Sequence, residues 1–265
     1  MIKTLVAVEV DLASSFAIRY ACRLGNHIKM ELHPVYVKSA RAGEETTGVG
    51  WAPHTWEREL VQAGRREIQE ILSPEAESCQ TMREPRVIYG ERGAALAKIV
   101  EQETFDLYVE GAPHPFTAGT IHKALHSRLY QRLSCPFIWL RGLRQIDRVL
   151  VLCLDAAGAA ALARAFSRLW PGCRIPLHLA FPAQGGADET SRIREAATRA
   201  AGELEAKGCH VIVEQPFQPV LGAPRPEIVD DYGLAAVTLP RAVNKDSPQL
   251  KWLSETRAPL MLVPI

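Results

Sequence analysis

The chain has 265 residues, of which 47% are hydrophobic and 23% are charged, an ordinary composition for a globular protein with a sizeable core. Its 31 Lys and Arg against 30 Asp and Glu leave a net charge of +1, without the basic excess typical of nucleic-acid binders. No apolar run approaches the ~20 residues that a membrane helix needs. We therefore expect neither a nucleic-acid partner nor a membrane partner.

The six cysteines are scattered along the chain without a C-x-x-C pair. This pattern fits reduced, mostly buried thiols better than disulfides or a zinc site. The chain opens directly on the strand-like run Leu5 to Val8, which is followed by Glu9. The opening has no signal-peptide layout, so we expect a cytoplasmic location.

Strand-like and helix-like patterns alternate through the first half of the chain. Periodicity predicts helices at 12–25, 55–72, 93–103 and 120–133, between strands at 3–9, 29–37, 85–89, 106–110 and 136–141. The predicted strands are mostly continuous apolar runs, which indicates a parallel sheet covered by helices on both faces.

The second half repeats this order. The run from Val149 to Asp155 matches the run from Leu5 to Asp11, 144 residues earlier, and both end on an Asp suited to capping a helix. Each half also closes on a strand opened by a proline, Pro136 and Pro259. The sequence therefore predicts an α/β fold of two tandem five-stranded, doubly wound parallel-sheet domains, residues 1–143 and 144–265.

The first half resembles the universal stress protein domain along nearly its whole length. The matching segments, in order, are Leu5–Val8, Leu32–Val37, Val87–Val100, Phe105–Gly111 and Cys135–Ile138. The second half resembles the family at its first and last strands. The resemblance implies a Rossmann-like sheet of the adenine nucleotide alpha hydrolase type, pairing of the two domains within the chain, a dimer or other homo-oligomer, and a role in stress response.

Some members of that family bind ATP, with a carboxylate after strand one, a backbone segment after strand two and a G-x-x-G-x(9)-G-[S/T] stretch after strand four. Phosphates need closely approaching backbone N–H groups and a helix N-terminus. By matching position, the resemblance places Glu9 at the carboxylate, Val35 at the strand-two contact and Gly111 at the first glycine. His114 stands where the second glycine would be.

The closing glycine has two possible registers. Counted back from Pro136, the closing pair falls near Lys123, where the glycine is lost. In a shifted register, Gly119 and Thr120 serve as the pair, and His114, His122 and Lys123 bring groups to an anion. The alternative is that Gly119 and Thr120 are simply a loop and helix cap.

The second half departs further from the family pattern. Cys153 or Leu154 occupies the carboxylate position, and the segment Thr238–Ala242 after strand four contains no glycine. We expect this half to act as a packing partner that has lost its site.

Two further features have both a functional and a structural interpretation. His122 and His126 share a helix face and could chelate a metal, although such pairs are common on solvent-facing helices, and we expect no metal. The loop from Trp51 to Trp56 could form a ligand lid or partner surface, or lie against the sheet edge.

The sequence thus predicts a stress-response ligand-binding or sensor protein that holds an adenine nucleotide or another anion in its N-terminal half. No positioned acid–base pair is evident, so we expect no enzyme. The alternatives are an interaction module that binds no nucleotide and, third, a slow ATP hydrolase.

Overall fold

The structure is a computed structural model of the whole chain. It describes the backbone of all residues except 10–11, 40–51, 77–78, 80, 184–186, 215 and 220–222. The side chains of residues 12–15, 52–57, 76 and 187 are also outside the description. The predicted Trp51 to Trp56 loop therefore lies outside the described residues, apart from the backbone of 52–56.

Among its described residues, the first half contains five strands and five helices. In chain order these are β1 Ile2–Val8, α1 Leu12–Gly25, β2 Met30–Lys38, α2 Ala52–Ala76, β3 Arg86–Tyr89, α3 Arg92–Gln102, β4 Leu107–Gly111, α4 Ala118–Leu125, α5 Arg128–Arg132 and β5 Phe137–Leu140.

The second half repeats this alternation of strands and helices. Its elements are β6 Val149–Leu152, α6 Ala156–Leu169, β7 Leu177–Ala180, α7 Ala187–Glu205, β8 Val211–Val213, α8 Pro226–Val229, β9 Leu234–Leu239, α9 Pro248–Glu255 and β10 Leu260–Pro264.

The ten strands form one sheet in the order β3-β2-β1-β4-β5-β10-β9-β6-β7-β8. All neighbouring strands are parallel except β5 and β10, which pair antiparallel at the centre with Ile138 opposite Met261. Each half contributes five strands in the same relative order. The predicted α/β class with mostly parallel, doubly wound sheets is confirmed, and the two half-sheets are joined into one.

Two apolar cores lie on the two faces of this sheet. One contains Ile18 of α1 and Phe166 of α6, and the other contains Leu96 of α3 and Leu253 of α9, each less than 2% exposed. Each core draws residues from both halves. The continuous apolar strands are explained by this two-sided burial.

The predicted helix 120–133 is two helices. α4 ends at the C-cap His126, and α5 starts after Ser127, whose extended ψ of 158° breaks the helical path. The carbonyl oxygen of His122 accepts from the backbone N–H of His126 at 3.1 Å, and the ring nitrogen Nδ1 of His126 lies 2.9 Å from the same oxygen, so both contacts gather at the end of α4.

Reciprocal arginine contacts connect the two halves beside the central strands. Arg241, after β9, donates to the carbonyl of Leu133 at 2.9 Å and to that of Gln131 at 3.0 Å, at the end of α5. Arg141, after β5, donates at 2.7 Å to the carbonyl of Thr256 at the end of α9. Each half thus satisfies helix-terminal carbonyls of the other.

Two other contacts hold neighbouring elements together, one in the first half and one between β9 and the segment that joins the halves. Glu103 pairs with Arg86 at 2.7 Å and Lys3 at 2.9 Å, which ties α3 to β3 and β1. Gly233 is pressed against the segment between β5 and β6: an added Cβ would lie 2.8 Å from the Cα of Ile146 and overlap the backbone of Gln145. Only glycine allows this approach.

Candidate functional site

A cavity of about 480 Å³ opens at the carboxyl ends of β1 and β4. The strand order of the first half reverses between these two strands, and doubly wound sheets bind ligands at such a switch point. The cavity is lined by Glu9, Glu91, Arg92, Gly93, Glu110, Gly111, Ala112, Pro113, His114, Ala124, Ser127, Leu129 and Tyr130. The residues that follow β1, β3 and β4 therefore meet at one place.

Arg92 lies between two glutamates in the wall of this cavity. Its Nη2 is 2.7 Å from Oε2 of Glu110, the buried residue near the end of β4. Its Nε pairs with Oε1 of Glu9, the more exposed residue just after β1. A guanidinium presents several donors in a fixed plane, so it can hold both carboxylates at once.

Glu110 is 4% exposed, and both oxygens of its carboxylate accept hydrogen bonds. Tyr108 donates its hydroxyl to Oε2 at 2.7 Å, and the indole of Trp139 donates to Oε1 at 3.1 Å. Burial raises the pKa of Tyr108 well above its ordinary value, so its hydroxyl stays a donor. A buried charge persists only with such partners.

The charge on Arg92 is secured by the same neighbours. Burial opposes the charged form, but the carboxylates of Glu110 and Glu9 outweigh it and keep the pKa of Arg92 above its ordinary value. The guanidinium is therefore positive at every physiological pH. Arg92 and Glu110 together form the charged part of the cavity wall.

The N-terminus of α3, which also faces the cavity, is capped by a carboxylate of the chain itself. Glu91 accepts from the backbone N–H of Gly93 at 2.7 Å and of Ala94 at 2.6 Å. These two hydrogen bonds lower the pKa of Glu91. The donors that a helix start would offer to a phosphate are thus already used.

The segment after β4 is also locally capped. Thr117 is the N-cap of α4, and its hydroxyl accepts from the N–H of Thr120 at 3.3 Å. The hydroxyl of Thr120 in turn accepts from the N–H of Thr117 at 3.0 Å, which closes a capping box. Upstream, Pro113 and Pro115 contribute no backbone N–H at all.

The structure brings three of the seven predicted ligand residues to the cavity, Glu9, Gly111 and His114. The remaining four do not line it. Val35 is a buried β2 residue in the core, Gly119 and Thr120 lie in the first turn of α4, and Lys123 is exposed further along α4. Their roles toward a ligand stay predictions.

The sequence interpretation missed the two residues at the centre of the wall, Arg92 and Glu110. A signal was present in the sequence, because Glu110 follows the apolar and aromatic residues Leu107–Val109 and is the one charged residue before Gly111 in that segment. A charge in a two-sided buried strand requires a partner of opposite sign. The search for this partner would have led to Arg92, the first residue of α3.

In the second half, the equivalent place at the end of β6 is filled by the chain's own side chains. Cys153, after β6, is fully buried, and Asp155 caps α6 by accepting from the N–H of Gly158 at 2.7 Å. The hydroxyl of Thr238 lies 2.7 Å from where a Cβ of Gly158 would be, so α6 sits directly against β9.

The histidine pair on α4 is stacked, with ring centroids of His122 and His126 4.1 Å apart. Within the described part of the chain, no group of three or more His, Cys, Asp and Glu side chains is arranged to hold a metal ion. Over the same residues, no helix is both long and apolar enough to cross a bilayer.

Comparison with known proteins supports the fold. No family model and no curated protein matches the chain. Among solved structures, a universal stress protein from Archaeoglobus fulgidus aligns with 99% of this chain and 96% of its own, with a TM-score of 0.62 and 14% identity.

Two Pseudomonas aeruginosa structures also align with 99% of this chain and 92% of their own. A functionally unknown protein has a TM-score of 0.59 and 12% identity, and a candidate universal stress protein has 0.58 and 13%. The resemblance seen in the sequence is thereby confirmed for the fold: along nearly its whole length, this chain has the fold of the universal stress protein structure from Archaeoglobus fulgidus.

Proposed function

We propose that this chain is a tandem universal stress protein that senses a small molecule in its N-terminal half, with the C-terminal half as a packing partner that binds nothing. The observation that carries the proposal is the 480 Å³ cavity at the β1/β4 switch point, lined by Glu9, Gly111 and His114. The ligand is an adenine nucleoside or a nucleotide with few phosphates. The location is cytoplasmic and the protein forms homo-oligomers.

The nucleoside part of such a ligand suits the cavity. The half-exposed carboxylate of Glu9 is an acceptor for ribose hydroxyls, and Gly111 leaves room for the ligand beside β4. Tyr130 and Leu129 give the same cavity an apolar wall for a base. Pockets for small molecules commonly combine apolar walls with a few fixed polar groups.

A triphosphate suits the cavity poorly. Glu9, Glu91 and Glu110 place three carboxylates around the single guanidinium of Arg92, and that guanidinium is already paired with two of them. Both nearby helix starts, of α3 and α4, are capped by side chains of the chain itself. We therefore infer that affinity decreases as phosphates are added to the ligand.

The same features support binding without turnover. Glu110 accepts three hydrogen bonds or ion pairs and Glu91 is held by two backbone N–H groups, so neither is positioned to move a proton to or from a ligand. A general acid or base must be within hydrogen-bonding reach of the reacting group and free to exchange its proton.

The first experiment is mass spectrometry of molecules released from the purified protein by denaturation. It is followed by calorimetric titration of adenosine, AMP, ADP and ATP. The proposal predicts binding of adenosine or AMP, and a loss of at least tenfold (~1.4 kcal/mol) in Glu9→Gln. Absence of binding of all four at millimolar concentration would contradict it and would favour an interaction module.

Two glycine variants serve as a matched pair in the same titration. A Cβ on Gly119 meets only the hydroxyl of Thr117 at 3.9 Å, and a Cβ on Gly202 of α7 meets nothing within 4 Å, so alanine fits at both. Gly119→Ala weakens binding if the shifted phosphate register operates. Gly202→Ala, far from the cavity, leaves binding unchanged and controls for a general effect on the fold.

A further inference from the structure

Strand β8, Val211–Val213, forms one of the two edges of the ten-stranded sheet. Among the described strands its one neighbour is β7, which it pairs in parallel with His178 opposite Ile212. Two of its three residues are apolar and yet exposed, Ile212 at 37% and Val213 at 47%. An edge strand presents backbone groups that can pair with a strand of another chain.

The opposite edge, β3, has the features by which proteins protect such a strand. Pro85 directly precedes it, and its first residue, Arg86, pairs with Glu103 at 2.7 Å. Proline and charged side chains on an edge strand discourage pairing with another chain. Strand β8 contains neither a proline nor a charged residue, so it lacks this protection.

The pairing with β7 decides which backbone groups of β8 point outward. The N–H of Glu214 donates to β7 at 2.9 Å, and the carbonyl of His210 accepts from β7 at 2.8 Å. Alternate residues of a strand bond to the same neighbour in a parallel ladder, so Ile212 also faces β7. The N–H and C=O groups of Val211 and Val213 therefore face the open edge.

These four outward groups match those of a second copy of the chain in one antiparallel register. When Ile212 lies opposite Ile212 of the second copy, Val211 of each copy lies opposite Val213 of the other. Residues opposite each other in such a pair exchange two hydrogen bonds, one in each direction. All four outward groups of each copy are then paired.

The side chains match in the same register. His210 of each copy comes opposite Glu214 of the other, and an imidazole can donate a hydrogen bond to a carboxylate in its neutral or its charged form. Nδ1 of His178 lies 2.5 Å from Oε1 of Glu214, which holds this carboxylate on the sheet face that carries Ile212. Complementary pairs on one face stabilise antiparallel strands.

We propose that β8 is the surface through which two copies of this chain pair, antiparallel and with the two-fold axis through Ile212. The inference rests on the homo-oligomer of the proposed function and names the surface that forms it. It is independent of the ligand, because the N-terminal cavity lies at β1 and β4, across the central strands from β8.

The experiment introduces single cysteines on β8 of the full-length protein. In Ile212→Cys the two-fold axis brings the two new thiols together in a non-hydrogen-bonded pair, where opposite side chains are closest. A mild oxidant should therefore link most of this variant into a dimer. The matched control is Val213→Cys, which is more exposed but lies opposite Val211 of the second copy, and it should stay unlinked. The six natural cysteines are buried, so the wild type should stay unlinked as well.

Sedimentation velocity measures the same contact without oxidation. We expect a reversible dimer for the wild type and an affinity at least tenfold lower (~1.4 kcal/mol) for His210→Glu, which places two glutamates opposite each other. His210→Glu/Glu214→Lys restores opposite charges and should recover the dimer. Ile265→Lys, which alters an apolar residue as exposed as Val213 at the end of β10, should leave the dimer unchanged.

The proposal is overturned if the wild type sediments as a monomer at high micromolar concentration, or if Val213→Cys is linked as readily as Ile212→Cys. A dimer that His210→Glu leaves intact would place the contact on another surface and would overturn it too. Adenosine titration of the wild type tests the ligand site separately, so a failure of either proposal is recognised on its own.

Discussion

Replacing Arg92 by methionine tests whether Arg92 and Glu110 in the cavity wall depend on each other as the structure indicates. Methionine keeps most of the length and apolar stem of the side chain but removes the guanidinium. Glu110, 4% exposed, then loses the cation 2.7 Å away and retains only the hydrogen bonds from Tyr108 and Trp139. We expect a clear loss of stability.

The magnitude follows from what remains around Glu110. Breaking a buried ion pair by removing one partner costs about 3–5 kcal/mol. Arg92 is about a third exposed, and two neutral donors stay with the carboxylate, so we place the loss near the lower end, about 3 kcal/mol. Glu9, which is 43% exposed, is solvated by water and adds little.

The assay is urea unfolding at pH 7, followed by circular dichroism, for wild type, Arg92→Met, Glu110→Gln and the double variant. Because both single changes break one pair, the double variant should be at least 1 kcal/mol more stable than the sum of the single losses predicts. A loss below about 1 kcal/mol in Arg92→Met, or strictly additive losses in the cycle, would show that Glu110 does not depend on Arg92.

Three further predictions concern the frame around the site. Hydrogen bonds from Arg86 and Lys3 hold the pKa of Glu103 at about 2, below its value in the unfolded chain. Glu103→Gln should therefore lower the free energy of unfolding by about 1 kcal/mol at pH 7. In urea unfolding, this difference between wild type and variant should vanish as the pH falls from about 4 to 2. Gly233→Ala should destabilise the protein by about 3 kcal/mol or more because the new Cβ overlaps backbone atoms. Gly202→Ala, in an exposed part of α7, should instead stabilise the protein by about 0.5–1 kcal/mol. Equal shifts in melting temperature for the two variants would contradict this. Arg241→Ala should cost about 1–2 kcal/mol and increase hydrogen exchange at the end of α5, and unchanged exchange there would argue against the bridge between the halves.

Most of the strand and helix order was predictable because both faces of the sheet are covered. Continuous apolar runs such as Val149–Leu152 arise when a strand is buried on both sides, and they are easy to separate from the amphipathic helices between them. The break between α4 and α5 was not predictable from periodicity. The apolar spacing continues through His126 and Ser127, and only the backbone conformation at Ser127 shows the interruption.

The joining of the two halves into one ten-stranded sheet was also outside the reach of local patterns. It depends on β5 and β10 pairing antiparallel, and both strands read simply as closing apolar strands. Register between distant segments is set by tertiary packing, which a single sequence expresses only through the matching of buried faces.

The candidate site was predictable where position in the fold determines it. Glu9 directly follows β1 and Gly111 ends the neighbouring strand β4, so both reach the same cavity. The occupied helix starts were less accessible, because Glu91 as a cap and Thr117 with Thr120 as a capping box look in sequence like ordinary helix beginnings. That these caps use up the backbone N–H groups an anion would need becomes evident only when α3 and α4 are seen near the same cavity.

The nucleoside site is tested by a calorimetric comparison of adenosine and ATP on the same preparation, repeated with Glu9→Gln. We expect that adenosine binds, that ATP binds no more tightly, and that Glu9→Gln weakens adenosine binding at least tenfold. Tight ATP binding with no response to adenosine, or adenosine binding unchanged in Glu9→Gln, would contradict the assignment of the N-terminal cavity as a nucleoside site.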